Sequence, residues 1–258
     1  MRSWRCLLAA TAAGFGLLCL QQAEPAFGAT FLVSPINLTL APASPSTLLT
    51  ITNQSSDVLR FQLSAFAWGQ DDEGQPLLSD TEDVVFFPSL LSVPPGEQRN
   101  VRVGTAVPAA ASEQTYRIFV EELPPMAAPE TKRSGGVIRV LTRMGIPIFL
   151  QPVRITTGAQ ITDLAVRGNI LSFALKNTGN VHLAPGVVQV RGVNAAGEAT
   201  FQRETAGGYV LAGGQRTYTL ELPAYERCTT TGLVVEVRTE GSSVESKLDI
   251  GASACNPD

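Results

Sequence analysis

From Thr30 onward, apolar residues occur in short runs, and the three-to-four-residue spacing of an amphipathic helix is nearly absent. The runs are rich in Val, Leu, Ile, Thr and Phe, and Gly, Pro, Asn, Asp and Ser separate them. Short strands with regular turns predict an antiparallel β-sandwich. A first series comprises Phe31–Leu40, Ser46–Thr52, Val58–Trp68, Val84–Val93, Gln98–Gly104, Thr115–Leu123 and Val137–Leu150. A second comprises Gln160–Arg167, Asn169–Asn177, Gly186–Asn194, Gly208–Leu211, Gln215–Leu222, Thr231–Thr239 and Val244–Gly251.

Each series has about the number of strands of one immunoglobulin-like domain. The chain of 258 residues is therefore predicted to be all-β, with two immunoglobulin-like β-sandwich domains. We place the boundary just after Gln151-Pro152, with domains at residues 30–152 and 153–258.

The first residues predict a secretory signal peptide at positions 1–29. Two positive charges precede an apolar run from Cys6 to Leu20, and Ala26-Phe27-Gly28 supplies small residues at the positions that a signal peptidase reads. We expect cleavage after Gly28 or Ala29. A lipoprotein signal is the alternative because Cys19 lies in the apolar run, although Leu18 precedes it where a small residue is expected.

Composition excludes several classes of function. The net charge is −4 and there is no basic run, so nothing predicts binding to nucleic acid. No later segment is long and apolar enough for a membrane span. Cys228 and Cys255 remain after processing, and an even pair in an exported protein predicts one disulfide, worth about 3 kcal/mol. Two free thiols are the alternative.

No catalytic or metal-binding constellation is visible, so we expect no enzyme activity, no cofactor and no metal. His182 is the only histidine, and a turn or strand-start position explains it. Glu121 and Glu122 are adjacent on a strand and point to opposite faces. The acidic segment Asp71–Gly74 lacks the spacing of a calcium loop and is interpreted as a solvated hairpin turn.

Two features are unusual for a sandwich. Pro124–Gly136 is a long segment rich in Pro and Gly between two strands, and such loops are usually functional or disordered. The strand predicted after it, Val137–Leu150, is about 14 residues long and apolar in both alternating phases. An exposed edge of that kind invites pairing with another chain, so we infer that the protein uses it.

Several segments resemble, in order, the PapD-like periplasmic pilus chaperones. They are Val33-Ser34-Pro35, Leu49-Thr50-Ile51-Thr52-Asn53, Trp68 before an acidic turn, Phe87-Pro88 through Pro94-Pro95-Gly96, Asn100-Val101-Arg102-Val103, Tyr116 through Pro125, and Gly145-Ile146-Pro147-Ile148-Phe149. The resemblance covers most of residues 31–152 and is weaker beyond.

This resemblance implies a periplasmic chaperone with two immunoglobulin-like domains set at an angle. Its partners would be pilus subunits (pilins) and an outer-membrane usher. The long last strand of the first domain would complete a pilin that lacks one strand, a form of β-strand addition. The subunit-binding residues on this strand would be Ile138, Val140, Thr142 and Met144, with Val137 and Leu141 facing away. The sequence alone leaves the opposite phase open.

The chain departs from the family at two positions that matter. Well-studied members grip the pilin carboxylate with an Arg and a Lys, and the matching positions here are Asn37 and Pro147. The anchor is therefore shifted or absent, which indicates a divergent branch, with the archaic type as a candidate. Arg117, Arg139 and Arg143 are the replacement candidates, with solvated strand positions as the alternative.

The resemblance also implies that Arg102 and Glu122 form a structural pair on facing strands. A secreted immunoglobulin-like binding or adhesion module is the alternative function, and a secreted hydrolase is a second. Neither alternative needs a long loop before an apolar edge strand, and the sequence lacks the catalytic residues that a hydrolase requires.

Overall fold

The computed structural model describes residues 30–126, 140–223, 229–239 and 242–250. Within these residues the chain forms strands and turns, without α-helix. In the same part of the chain, no helix has the length and hydropathy that a membrane crossing requires.

The first domain is a sandwich of two sheets. Its strands are β1 (Phe31–Ser34), β2 (Leu38–Leu40), β3 (Ser46–Asn53), β4 (Leu59–Gln70), β5 (Pro76–Asp80), β6 (Val84–Phe87), β7 (Leu90–Val93), β8 (Gln98–Thr105), β9 (Gln114–Leu123) and β10 (Arg143–Leu150). One sheet has the order β1-β3-β8-β6, and the other has the order β2-β10-β9-β4-β5 with β7 also paired to β4.

The strands alternate between the core and the outside because successive side chains point to opposite faces. On β8, Val101 and Val103 are fully buried while Arg102 between them is exposed. On β9, the same alternation buries Ile118 and Val120. Both inward faces meet in one apolar core between the sheets.

The second domain is a smaller sandwich with a separate core. Its strands are β11 (Ala159–Arg167), β12 (Ile170–Asn177), β13 (Val187–Val193), β14 (Ala199–Ala206), β15 (Gln215–Glu221), β16 (Gly232–Thr239) and β17 (Ser242–Asp249). The sheets have the orders β11-β12-β15 and β14-β13-β16-β17. The predicted fold class, all-β with two sandwich domains, is confirmed.

Individual strands differ from the sequence prediction in ways that have physical causes. Pro35 and Pro88 break two predicted runs into β1/β2 and β6/β7 because proline has no N–H for the ladder. The prediction missed β5, since every residue of it is exposed, and β14, where Phe201 is the one buried residue. The predicted strand at 208–211 is limited to a single bridge between Leu183 and Val210.

The long edge strand is shorter than predicted. Among the described residues, β10 begins at Arg143, and the described residues before it, Val140–Thr142, lie outside regular strand. Its partner β9 ends at Leu123 and is followed by Pro124, which cannot donate to a ladder. The pairing therefore stops where the partner strand stops.

Candidate functional site

One side of β10 is paired along only part of its length in the described structure. Glu122 N–H donates to Thr142 O at 2.9 Å, and Gln151 N–H donates to Leu40 O at 2.8 Å on the opposite side of the strand. Main-chain groups alternate sides along a strand, so even-numbered residues of β10 face β9 and odd-numbered ones face away. β2 pairs with β10 only at residues 148–150. Among the described residues, no strand pairs with residues 143–147 on that side, which we name the β10 edge.

The side chains around this edge split into two faces. Met144 is half-buried against the first core, in the same phase as the buried Ile146 and Ile148. Val140, four residues before Met144, is 69% exposed, and its neighbour Leu141 is 40% exposed. Of the predicted subunit-facing positions, Met144 lies in the core-facing row, whereas Val140 and Thr142 precede the strand, and which phase meets a partner stays a prediction.

The opposite face of β4, β9 and β10 carries aromatic rings covered by arginines. The Arg143 guanidinium lies 4.1 Å from the centre of the Phe119 ring and pairs with Glu121 at 3.4 Å. A Cβ on Gly145 would lie 2.8 Å from the Phe119 ring, so only glycine lets that ring cover the strand. Phe66 packs edge-on to Phe119 at 5.8 Å.

Arg117 lies on this face without an acidic partner in the described part of the chain. Its guanidinium lies 4.1 Å from the centre of the Trp68 ring, and its Cα pairs with that of Pro147 on β10. The Nε atom of Arg117 and the indole Nε1 of Trp68 are buried, and neither has a hydrogen-bond partner. Burial lowers the pKa of Arg117, while the nearby Tyr209 acts in the opposite direction. Two unused donors therefore lie together beside the β10 edge.

An aromatic cluster joins the two domains next to Arg117. Phe149 of the first domain stacks on His182 of the second with ring centres 3.7 Å apart. Tyr209 of the second domain contacts Trp68 at 5.7 Å and Phe149 at 5.4 Å. These rings bury the outward face of the sheet where it meets the second domain.

A buried carboxylate completes this junction. The Glu113 side chain is fully buried, and its Oε2 accepts the main-chain N–H of His182 at 2.9 Å. The same oxygen lies 2.7 Å from His182 Nδ1, while Oε1 is buried without a partner. Asn180 adds a bond from its amide to Ala111 O at 2.8 Å. His182, interpreted from sequence as a turn or strand-start residue, therefore also joins the two domains.

The acidic segment Asp71–Gly74 forms the turn of the β4–β5 hairpin, with Asp72 and Glu73 exposed, and it also contacts the second domain. Thr217 N–H donates to Asp72 O at 2.6 Å. Gly74 has φ +80°, and a Cβ there would lie 2.7 Å from the Arg216 guanidinium carbon. Gln70 at the end of β4 bonds Tyr209 O and Leu211 N–H, both at 3.2 Å.

The predicted pairing of Arg102 with Glu122 is wrong. Arg102 points outward from the β1-β3-β8-β6 sheet and donates to Ser46 Oγ at 2.7 Å. Glu122 is buried on the inward face of β9 in the other sheet, where Oε2 accepts the Thr142 N–H at 3.4 Å. An outward side chain cannot reach a carboxylate on the far side of the core. Glu122 therefore holds the main chain at Thr142, the residue directly before β10.

Other predicted residues are placed or fall outside the description. Asn37 is exposed and Pro147 is buried, at the two positions where the resembled family carries basic residues. Ile138, Arg139, Cys228 and Cys255 lie outside the described residues, so the disulfide and part of the edge stay predictions. Among the described residues, no group of three or more His, Cys, Asp or Glu side chains is placed to hold a metal ion.

Comparison with known proteins identifies the class. No curated protein matches the chain by sequence. Residues 31–156 match the family described as "Pili and flagellar-assembly chaperone, PapD N-terminal domain".

Solved structures are similar across both domains. The complex of CsuC with the tip adhesion subunit CsuE, from archaic chaperone-usher Csu pili of Acinetobacter baumannii, is 18% identical, with 84% of this chain and 98% of that chain covered and a TM-score of 0.53. The class 5 fimbriae chaperone CfaA is 14% identical, with 84% and 98% covered and a TM-score of 0.56. The SafB chaperone with the SafA pilin of Salmonella enterica is 14% identical, with 86% and 97% covered and a TM-score of 0.53.

At these identities the structural matches show the fold. The molecule is thus a two-domain immunoglobulin-like protein that presents an unpaired strand edge beside its domain junction. Its first domain matches the PapD N-terminal family over residues 31–156, and the chain shares its two-domain fold with the solved chaperone structures.

Proposed function

We propose that this protein binds pilus subunits in the periplasm by lending them the β10 edge and delivers them to an outer-membrane usher. The unpaired β10 edge is the observation that carries the proposal. A subunit that lacks a strand exposes apolar surface and unpaired main-chain groups, which promote aggregation. A lent strand satisfies those groups while its alternate side chains fill the open core.

The side chains that would enter the subunit are Ile138, Val140, Thr142 and Met144. Met144 already packs against the core of the first domain, so a subunit seated on the edge would extend one continuous apolar layer. The exposure of Val140 supports this role, because an apolar side chain there gains from being covered. Structural neighbours include chaperones solved with a tip adhesion subunit and with a pilin.

Arg117 is our candidate for the shifted carboxylate anchor. It lies at the level of Pro147, next to the end of the β10 edge, and in the described residues no acid neutralises it. A buried donor without a partner costs free energy, which a bound carboxylate would recover. Arg143 would bind the subunit more weakly, since it already pairs with Glu121, and Arg139 lies outside the described residues.

Co-expression with a pilus subunit from the same genome tests this function. The chaperone should purify with the subunit in a one-to-one complex, and Arg117→Ala should weaken the complex by about 1.5–3 kcal/mol, the contribution of a charged hydrogen bond. Arg203→Ala on the exposed second-domain surface is the matched control. Stoichiometric sugar without subunit would instead favour the adhesion-module alternative.

Export and processing are part of the same proposal. The mature protein should begin at Ala29 or Thr30 and carry a Cys228–Cys255 disulfide. Intact mass with and without a reductant measures both features in periplasmic protein. Two alkylatable thiols in the native protein would exclude the disulfide and leave the export prediction standing.

A further inference from the structure

The ladder between β2 and β10 stops abruptly. Its register joins Ile148 to Leu38 and continues to Leu150 and Leu40, and the Gln151 N–H still donates to Leu40 O. Towards the start of β10 the ladder ends at Ile148, although residues 35–37 directly precede β2 in the chain. Ile36, two residues before β2, is 75% exposed and outside any strand.

The parallel register states which bond would come next. Gln151 N bonds Leu40 O, so the equivalent bond two residues earlier is from residue 149 to Leu38 O, and the one before it is from residue 147 to Ile36 O. Residue 147 is proline and has no N–H. The ladder therefore lacks its donor at the position where β2 would begin to cover the β10 edge.

We propose that Pro147 keeps the β10 edge vacant by preventing residues 35–37, which connect β1 to β2, from extending the β2 ladder along it. Pro147 is a positioning residue in this role, and the inference rests on the proposed subunit binding. The N–H and C=O groups of Arg143 and Gly145 stay available on the open side. An extended main chain from another protein is the occupant they fit, because a strand edge offers alternating donors and acceptors.

The same residue sets where that partner strand ends. A partner strand following the edge finds N–H donors at Arg143 and Gly145 and none at Pro147, beyond which β2 occupies the edge. Arg117 is the register partner of Pro147 on β9. The partner strand therefore ends beside the Arg117 guanidinium, which has no acidic partner in the described residues.

Replacing Pro147 with valine tests the proposal, since valine restores the N–H and keeps three side-chain carbons. Pro147→Ala is the second variant, and Pro152→Val is the matched control, at a buried proline after the end of β10. Hydrogen exchange of the free protein should show the residue 147 amide at least tenfold slower than the amides of Arg143 and Gly145. Capture of a refolding pilus subunit from the same genome should slow at least tenfold in both variants and stay unchanged in the control.

The two measurements separate this inference from the proposed function. Capture at the wild-type rate by both folded variants overturns the role of Pro147, whatever the exchange rates. A fast-exchanging residue 147 amide in both folded variants also overturns it, because the ladder has then not extended. If the wild-type protein captures no subunit, the proposed function fails, and amide exchange alone then decides whether Pro147 limits the β2 ladder.

Discussion

Replacing His182 with alanine should uncouple the two domains without unfolding either one. His182 and Glu113 belong to neither apolar core, so each sandwich keeps its own packing. The substitution leaves the fully buried Glu113 carboxylate with one main-chain hydrogen bond, at 2.9 Å, and removes the ring stacked 3.7 Å from Phe149. Removing a donor from a buried carboxylate costs about 1.5–3 kcal/mol, and the lost ring stacking adds about 0.5–1.5 kcal/mol. We expect the free energy that couples the domains to fall by the sum of these two amounts.

Two substitutions of Glu113 measure how much of this coupling free energy comes from its bonds to His182. Glu113→Gln keeps a side-chain oxygen that can accept from both the His182 N–H and Nδ1–H, so it should cost less than about 1 kcal/mol. Glu113→Ala leaves the His182 N–H unsatisfied and should cost about 1–3 kcal/mol. The expected order of destabilisation is His182→Ala, then Glu113→Ala, then Glu113→Gln.

Calorimetry and small-angle scattering provide the assay. The wild-type protein should melt in one coupled transition, whereas His182→Ala should give two transitions and a larger radius of gyration. A double-mutant cycle between Glu113→Ala and His182→Ala isolates the pair from the stacking. The reasoning is refuted if His182→Ala melts in a single transition and its unfolding free energy lies within about 0.5 kcal/mol of the wild-type value. A change that small is what an ordinary surface substitution causes.

Three further predictions concern the edge and the two sandwiches. Val140→Asp should leave the melting temperature of the free protein nearly unchanged and abolish capture of a pilus subunit, since it places an unpaired charge in an apolar groove. If Leu141→Asp abolishes capture and Val140→Asp does not, the proposed phase is wrong. Burial raises the pKa of Tyr218 to about 12, so the folded state keeps a proton that an unfolded tyrosine loses near pH ~10, and stability should fall from pH 10 to 12. Tyr218→Phe should remove that component in melting curves and cost about 1 kcal/mol at neutral pH through the lost bond to Gly207 O; an unchanged alkaline profile would contradict the assignment. Arg102→Ala should change the unfolding free energy by less than about 0.5 kcal/mol in urea titration, and a loss of several kcal/mol would restore a structural pairing role for this residue.

Much of the sandwich could be predicted because strand patterning is local. The alternation of Val101, Arg102 and Val103 assigns one face of β8 to the core without knowledge of the other sheet. The turn residues around Pro94-Pro95-Gly96 end one strand and start the next for the same local reason. Strands without a buried row, such as β5, carry no such pattern and were missed.

The candidate site was predicted less completely. The edge strand and its arginines followed from the sequence and the family resemblance, but the pairing of Arg102 with Glu122 failed. A period of two tells which residues share a face of one strand, and it does not tell which of two facing sheets a distant residue joins. The stacking of Arg117 on Trp68 likewise depends on the neighbouring register of β4 and β9.

By itself, the sequence determined two all-β domains and an unusual edge strand, because the period of two, the turn residues and the prolines act through neighbouring residues. Only the tertiary structure decided the domain junction. Glu113 and His182 are 69 residues apart, and each resembles an ordinary polar residue in its own segment. Their pairing exists because two separately packed sandwiches bring their ends together, and a buried carboxylate at that contact requires a donor from the other domain.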